Sequence, residues 1–232
     1  MDQSLKNRVE YKVKDGPLES FPKDRPWIKK IMISKPKFKI GRRLGAGVYD
    51  KCQTSKFSAS SGKFAGPGAR RPKALTEYGA QLIEKQKIRF SYGITERQLS
   101  NYVEKASHIK GAGTAEKFYE ELESRLDNVV YRMGLAPSRR AARQMVSHGH
   151  FIVNNHRVTV PSYEVKPEDI VKVREGSKSK KIFDNLTERL KDYNSPSWLS
   201  FDVSKMEGNI LAKPKNVETF LDLNAVLEFY SR

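Results

Sequence analysis

The apolar spacing of this chain changes at Gly149, and that change limits the fold more than any other feature. Upstream of it, Phe118, Leu122, Leu126, Val129 and Met133 step by three or four, the period of a helix. Thr114 stands where a cap is wanted, and Gly134 where a left-handed residue can close the last turn. Pro137 and Ser138 then open a second helix, SRRAARQMVSHG, that stops at Gly149. Downstream, FIVN and RVTV are short strand-like runs joined through Asn154, Asn155 and His156. Asparagine tolerates positive φ, so a tight hairpin is expected there. IVKVR, residues 170–174, follows Pro167, Glu168 and Asp169 as a third strand. Residues 114 to about 175 therefore predict two helices and a small antiparallel sheet.

Helical spacing also flanks this unit. Leu75, Tyr78, Leu82 and Gln86 fall on one side of a helix ended by Gly93. Thr95 with Gln98 makes a capping box, followed by Leu99, Tyr102, Val103 and Ala106. HIKGAG, residues 108–113, is a linker. DNLTERLKDY predicts a short helix stopped before Pro196, and LNAVLEFYSR a terminal helix packed back on the earlier ones. Residues 35–73 carry too much glycine and proline for a long helix and are expected to be loop. Residues 1–31, with Pro17, Pro22 and Pro26, are expected to be a flexible extension, and we expect translation to start at Met32. The fold class is α+β. A mainly helical domain is built from discontinuous N- and C-terminal parts (32–113 and 188–232), around a small module at 114–187.

Charge then bounds the function. Lys plus Arg number 44 against 27 Asp plus Glu, a net charge of +17 that calls for a polyanionic partner. With no long apolar span or basic amphipathic helix, nucleic acid is favoured over a membrane surface. Cys52 is the one cysteine, which excludes an intramolecular disulfide and a multi-cysteine zinc site. Arg139, Arg140 and Arg143 share one side of their helix opposite Ala142, Met145 and Val146, and are expected to project guanidinium groups toward phosphates. Ser138 adds the helix N-terminus, and Arg125 and Arg132 extend the surface from the preceding helix. Arg70, Arg71 and Lys73 form a second basic site in GPGARRPK, and Lys85, Lys87 and Arg89 a third. A solvated basic face would give the same pattern on one helix; the net charge weighs against it. His148 and His150 suit turn or phosphate-contact roles, since no third ligand stands at metal spacing. Phe57 and Phe64 read as loop anchors. There is no phosphate-loop pattern and no nucleophile-elbow serine, so no catalytic residue, metal or cofactor is expected.

The stretch SRLDNVVYRMGLAPSRRAARQMVSHGHFIVNNHRVTVPSYEV resembles the signature of the ribosomal protein S-four family, which defines an RNA-binding module shared with other proteins. EYGAQLIEKQKIRFSYGITERQLSNY and PSWLSFDVSKMEG…LEFYSR are similar to that family's helical domain, so the resemblance covers about residues 35–232. It implies a non-enzymatic component of the small ribosomal subunit that binds rRNA at a multi-helix junction and nucleates assembly of the subunit body. It also implies contact with small-subunit protein S-five, a bearing on decoding accuracy, and cations at the mRNA entrance that correspond to Arg70, Arg71 and Lys73. A cytoplasmic ribosome is implied, an organellar one being the other possibility, and neither a membrane nor a homo-oligomer is expected. The alternative is a free RNA-binding accessory factor, acting in ribosome rescue or rRNA modification. Departures are a shortened GPG where the family has PGQHG, Asn155 at the turn glycine, and no cysteine cluster of the kind some relatives use to hold a metal.

Overall fold

The computed structural model describes residues 37–61, 74–108, 113–183, 186, 190, 193–215 and 220–231, and apolar side chains gather there into three clusters. The predicted extension and all of GPGARRPK lie outside these residues. Where loop was expected, the chain instead forms helix α1 (Lys37–Leu44), two 3-10 turns (Ala46–Val48 and Asp50–Gln53) and helix α2 (Ser55–Ser61). Each is short, as the glycine content requires. Packing holds them: Ile40, Leu44 and Val48 are buried with Tyr49, Ile83 and Phe90 against them.

Helix α3 (Glu77–Tyr92) is capped by the Thr76 hydroxyl, which accepts from the Gly79 N–H, and ends at Gly93 with φ 63°. Its buried side is Gln81, Lys85, Ile88, Ser91 and Tyr92. That corrects the expected face, for Leu75 and Tyr78 are 65% and 53% exposed. Helix α4 (Glu96–His108) opens with the predicted capping box: Thr95 N–H donates to Gln98 Oε1 and Gln98 N–H to Thr95 Oγ1, at 3.2 and 3.3 Å. Helix α5 (Thr114–Glu123) starts one residue earlier than expected, with Gly113 as its cap and Thr114 inside. These helices and α9 (Leu223–Ser231) enclose a core of Ile88, Leu99, Phe118, Leu122, Leu223 and Val226.

The single helix expected from Thr114 to Met133 is two, because Arg125 is extended at φ −65°, ψ 134° and α6 (Leu126–Arg132) begins afresh. The new N-terminus is capped by backbone from far downstream. Leu126 N–H donates to Tyr163 O (2.8 Å) and Asp127 N–H to Pro161 O (3.1 Å), while Val165 N–H bonds Ser124 O (2.8 Å). The break also divides the packing. Helix α5 belongs to the helical core, whereas Leu126, Val129, Val130 and Met133 lie in the module's core.

Helix α7 (Arg139–Ser147) is capped by Ser138 Oγ and buries Ala142, Met145 and Val146, as its spacing predicted. It packs with α6 over a five-stranded antiparallel sheet of order β2-β1-β3-β5-β4. The strands are β1 (Phe151–Val153), β2 (His156–Arg157), β3 (Ile170–Val173), β4 (Leu199–Asp202) and β5 (Glu207–Ile210). Asn154 and Asn155, at φ 46° and 69°, make the predicted hairpin turn. Strand β2 is shorter than RVTV, since the chain leaves the sheet to deliver the carbonyls that cap α6. Strands β4 and β5 were not expected: this stretch of 188–232 joins the module's sheet through β3, and residues 221–226 join the helical core. Gly208 allows the join, because a Cβ there would lie 2.5 Å from Met133 Cε. A single helical turn, α8 (Glu175–Lys178), follows β3. Among the described residues no helix is long and apolar enough to cross a membrane.

Candidate nucleic-acid interface

Two buried carboxylates lie beneath α7, and they decide where its arginines point. Glu123, at the end of α5, is 0% exposed; Asp127, in the first turn of α6, is 2% exposed. Glu123 accepts from Arg132 Nε and Nη2 (both 2.9 Å), the Tyr92 hydroxyl (2.6 Å) and Asn128 Nδ2 (2.9 Å). Asp127 accepts from Arg125 Nε and Nη2 (3.0 and 2.9 Å) and from Arg143 Nε (2.7 Å). Arg139 donates to Asn128 Oδ1 (2.7 Å) and lies 4.7 Å over the rings of both Tyr92 and Tyr131. Burial alone would raise the Glu123 pKa, but Arg132, Arg139 and Tyr92 outweigh it and hold the carboxyl below its ordinary value. Tyr92 is pushed well above its ordinary value, by burial first and then by Glu123.

Arg125, Arg132, Arg139 and Arg143 thus face inward, correcting the expectation of an outward guanidinium face; Arg140 is the member of that set that reaches solvent. The helix break explains the difference, since it sets two acids under α7 that a continuous solvated helix would have turned outward. Ser138 is occupied as the cap of α7. Lys85 is buried with its Nζ 2.7 Å from Glu96 Oε1 and 4.1 Å from the Phe229 ring centre. Lys87 pairs with Glu84 (2.5 Å) and Arg89 with Glu96 (3.2 Å), so those three cations meet acids of their own domain. Arg70, Arg71 and Lys73 lie outside the described residues.

Among the described residues two exposed basic faces remain. The first is built on α1 and the turns after it, where Lys39, Arg43, Lys51 and Lys56 are exposed and Asp50 is the one acid of residues 37–61. Asp50 is itself engaged by the Tyr131 hydroxyl (3.1 Å). Lys37 lies over the Tyr49 ring at 5.6 Å and Lys51 over the Phe38 ring at 5.9 Å. Burial and Cys52 raise the Tyr49 pKa while Arg140 opposes them, so Arg140 belongs to this face. The signal was in KFKIGRR, whose cations the expectation of loop left unread.

The second face surrounds the turn after α7. His150 is buried beside Ser177, with Nδ1 and Oγ 2.9 Å apart, and His148 is exposed on the other side of Gly149. Gly149 has φ 70°, and any side chain there would collide with the Arg157 guanidinium, which donates to His148 O. Burial lowers the His150 pKa, and Lys180, His148, Arg174 and Arg157 lower it further. Arg157, Arg174 and Lys180 thus bring three cationic side chains near one imidazole, with the His148 ring 6.0 Å from it. Among the described residues none of Arg157, Arg174 and Lys180 is ion-paired with a carboxylate. Sequence reading found the histidines but missed these three, which come from β2, the cap residue before α8 and the segment after α8; the cationic run KSKK was a trace of Lys180 alone. Among the described residues no group of three metal-ligating side chains accompanies the histidines.

Comparison with known proteins follows the same division. Residues 33–123 match the family described as "Ribosomal protein S4/S9 N-terminal domain" and residues 124–171 that described as "S4 domain", so the border falls at the break between α5 and α6. The chain is 42% identical over 204 residues to "Small ribosomal subunit protein uS4" of Thermotoga petrophila, covering 85% of this chain and 97% of that one. It is 44% identical over 200 residues to the protein of that name from Acetivibrio thermocellus (84% and 96%), and 42% over 199 residues to that from Oenococcus oeni (85% and 96%).

Proposed function

This chain belongs to the family of small ribosomal subunit protein uS4, and from that premise we propose that its two exposed basic faces bind rRNA, each gripping a different helix of one junction. It is a structural, non-enzymatic constituent of the small ribosomal subunit. The gathering of Arg157, Arg174 and Lys180 near His150, with Arg157 across the Gly149 turn, carries the reading. Cations clustered without carboxylate partners are costly to assemble unless phosphates neutralise them. Arg140 with Lys39, Arg43 and Lys51 supplies the second grip. Folded RNA is then recognised by shape and phosphate spacing, with nothing turned over.

Holding two helices at a set angle stabilises one RNA fold, which supports a role as a primary binder that nucleates assembly of the subunit body in a cytoplasmic ribosome. Contact with protein S-five, a bearing on accuracy, and Arg70, Arg71 and Lys73 at the mRNA entrance are carried over from the family resemblance. Filter binding of the full chain to transcribed small-subunit rRNA across a salt series tests the interface. Replacing Arg157 and Arg174 with alanine should lower the log–log salt slope by roughly 0.7–0.9 for each phosphate no longer neutralised. An unchanged slope would remove the Gly149 cluster from the interface.

A further inference from the structure

Arg125 and Arg143 share one carboxylate and then cross to the helical domain. Asp127, between them, is tied to both at 2.7–3.0 Å. With its remaining N–H groups Arg125 donates to the Tyr102 hydroxyl of α4 (2.5 Å). Arg143 donates to the Tyr92 carbonyl (2.9 Å) and, through Nη1, to the Gly93 carbonyl. Arg125, Asp127 and Arg143 belong to the module; Tyr92, Gly93 and Tyr102 belong to the helical domain. We propose that Arg143, with Arg125 and Asp127, is a positioning unit that sets the angle between the two basic faces and itself touches no RNA.

The chemistry fits that role. The Tyr92 and Gly93 carbonyls close the C-terminal end of α3, where backbone acceptors lack helical partners and the dipole favours a cation. A guanidinium is a rigid planar fork, so bonds to one carboxylate and two carbonyls fix direction as well as distance. Apolar packing alone would permit sliding between the two cores. Two grips on one frame also bind as a linked pair, and the second contributes only if the frame presents it at the span of the RNA.

The inference rests on both faces binding rRNA, and the experiment separates the two claims. Full chains carrying Asp127→Asn, Arg143→Met or Arg140→Ala are titrated with the rRNA fragment over a salt series. If Arg125 and Arg143 were phosphate ligands, losing their acid would free them, tightening binding and steepening the salt dependence. As a positioning unit, Asp127→Asn should weaken binding by about tenfold to hundredfold with the slope unchanged. Arg143→Met should do the same, whereas Arg140→Ala should lower the slope by roughly 0.7–0.9. Spin labels at Asn101→Cys and Asn209→Cys, in a Cys52→Ala background, supply a readout without RNA: the distance distribution should broaden in Arg143→Met and not in Arg140→Ala. Tighter binding by Asp127→Asn, a slope decrease in Arg143→Met equal to that in Arg140→Ala, or an unbroadened distribution in Arg143→Met would each overturn the proposal. Absence of salt-sensitive binding by the unsubstituted chain would instead sink the reading beneath it.

Discussion

Glu123→Gln isolates the most deeply buried charge among the described residues. The carboxylate is wholly enclosed and accepts from Arg132 through both Nε and Nη2, from the Tyr92 hydroxyl and from Asn128. Glutamine keeps the volume but replaces one acceptor oxygen by an NH2 group, which points protons at protons. A guanidinium N–H and one further donor lose their partner while still buried. Removing one member of a buried pair costs about 3–5 kcal/mol. The Arg132 side chain keeps 16% exposure, so water recovers part of that and the lower end applies, about 3 kcal/mol. At about 2–4 °C per kcal/mol for a domain of this size, the melting temperature should fall by about 6–12 °C. Urea titration and thermal melts followed by circular dichroism at pH 7 measure it. The pH dependence gives a second check. The folded-state pKa of Glu123 lies below its ordinary value of 4.5, so its stabilisation is complete above 4.5 and is lost as pH falls through the folded-state value. Glutamine binds no such proton, so the two melting curves should converge in acid. A shift under about 2 °C at pH 7, or a gap that persists in acid, would refute the account of the buried cluster.

Three further outcomes are expected. Gly208→Ala should destabilise the sheet by about 1–3 kcal/mol through overlap with Met133, and Met133→Val in the same chain should restore part of it, as chemical denaturation will show. Binding of rRNA should strengthen as pH falls below the ordinary histidine value of 6.5, because phosphate near Arg157, Arg174 and Lys180 lifts the depressed His150 pKa and draws a proton onto the ring; His150→Gln should reduce that pH dependence in binding titrations. Arg70→Ala with Arg71→Ala should slow translation through structured mRNA while leaving subunit assembly intact; an assembly defect on sucrose gradients would put that segment in the rRNA footprint.

Local rules were legible wherever the partner was local. The Thr95–Gln98 capping box, the Ser138 cap, the left-handed residues at Gly93 and Gly134, and the Asn154–Asn155 turn are decided within a few residues, and the structure has them. The heptad-like step through Phe118, Leu122, Leu126, Val129 and Met133 identified buried residues correctly even though the helix breaks, since both halves keep their apolar side inward. What sequence could not give depends on distant backbone. Nothing within Ser124 and Arg125 announces a break that Pro161 and Tyr163 enforce. Strand β5 reads EGNI, with too few apolar residues to register as a strand, because its glycine is shaped to Met133 and not to solvent or core by alternation. Arg139 and Arg143 of α7 were placed on the right helix side, but their intramolecular partners were not legible, for Glu123 and Asp127 come under them only once the break has turned α6.

The backbone groups that meet the end of one helix and start the next arrive about forty residues late in synthesis. While Ser124 and Arg125 are emerging, the stretch from Thr114 onward has every local reason to wind on without interruption. The hinge is therefore written only after the turn at Pro161 has been made. A nascent chain halted before that turn should carry one rod where the finished protein carries two, and its newly made ionic partners would still be strangers.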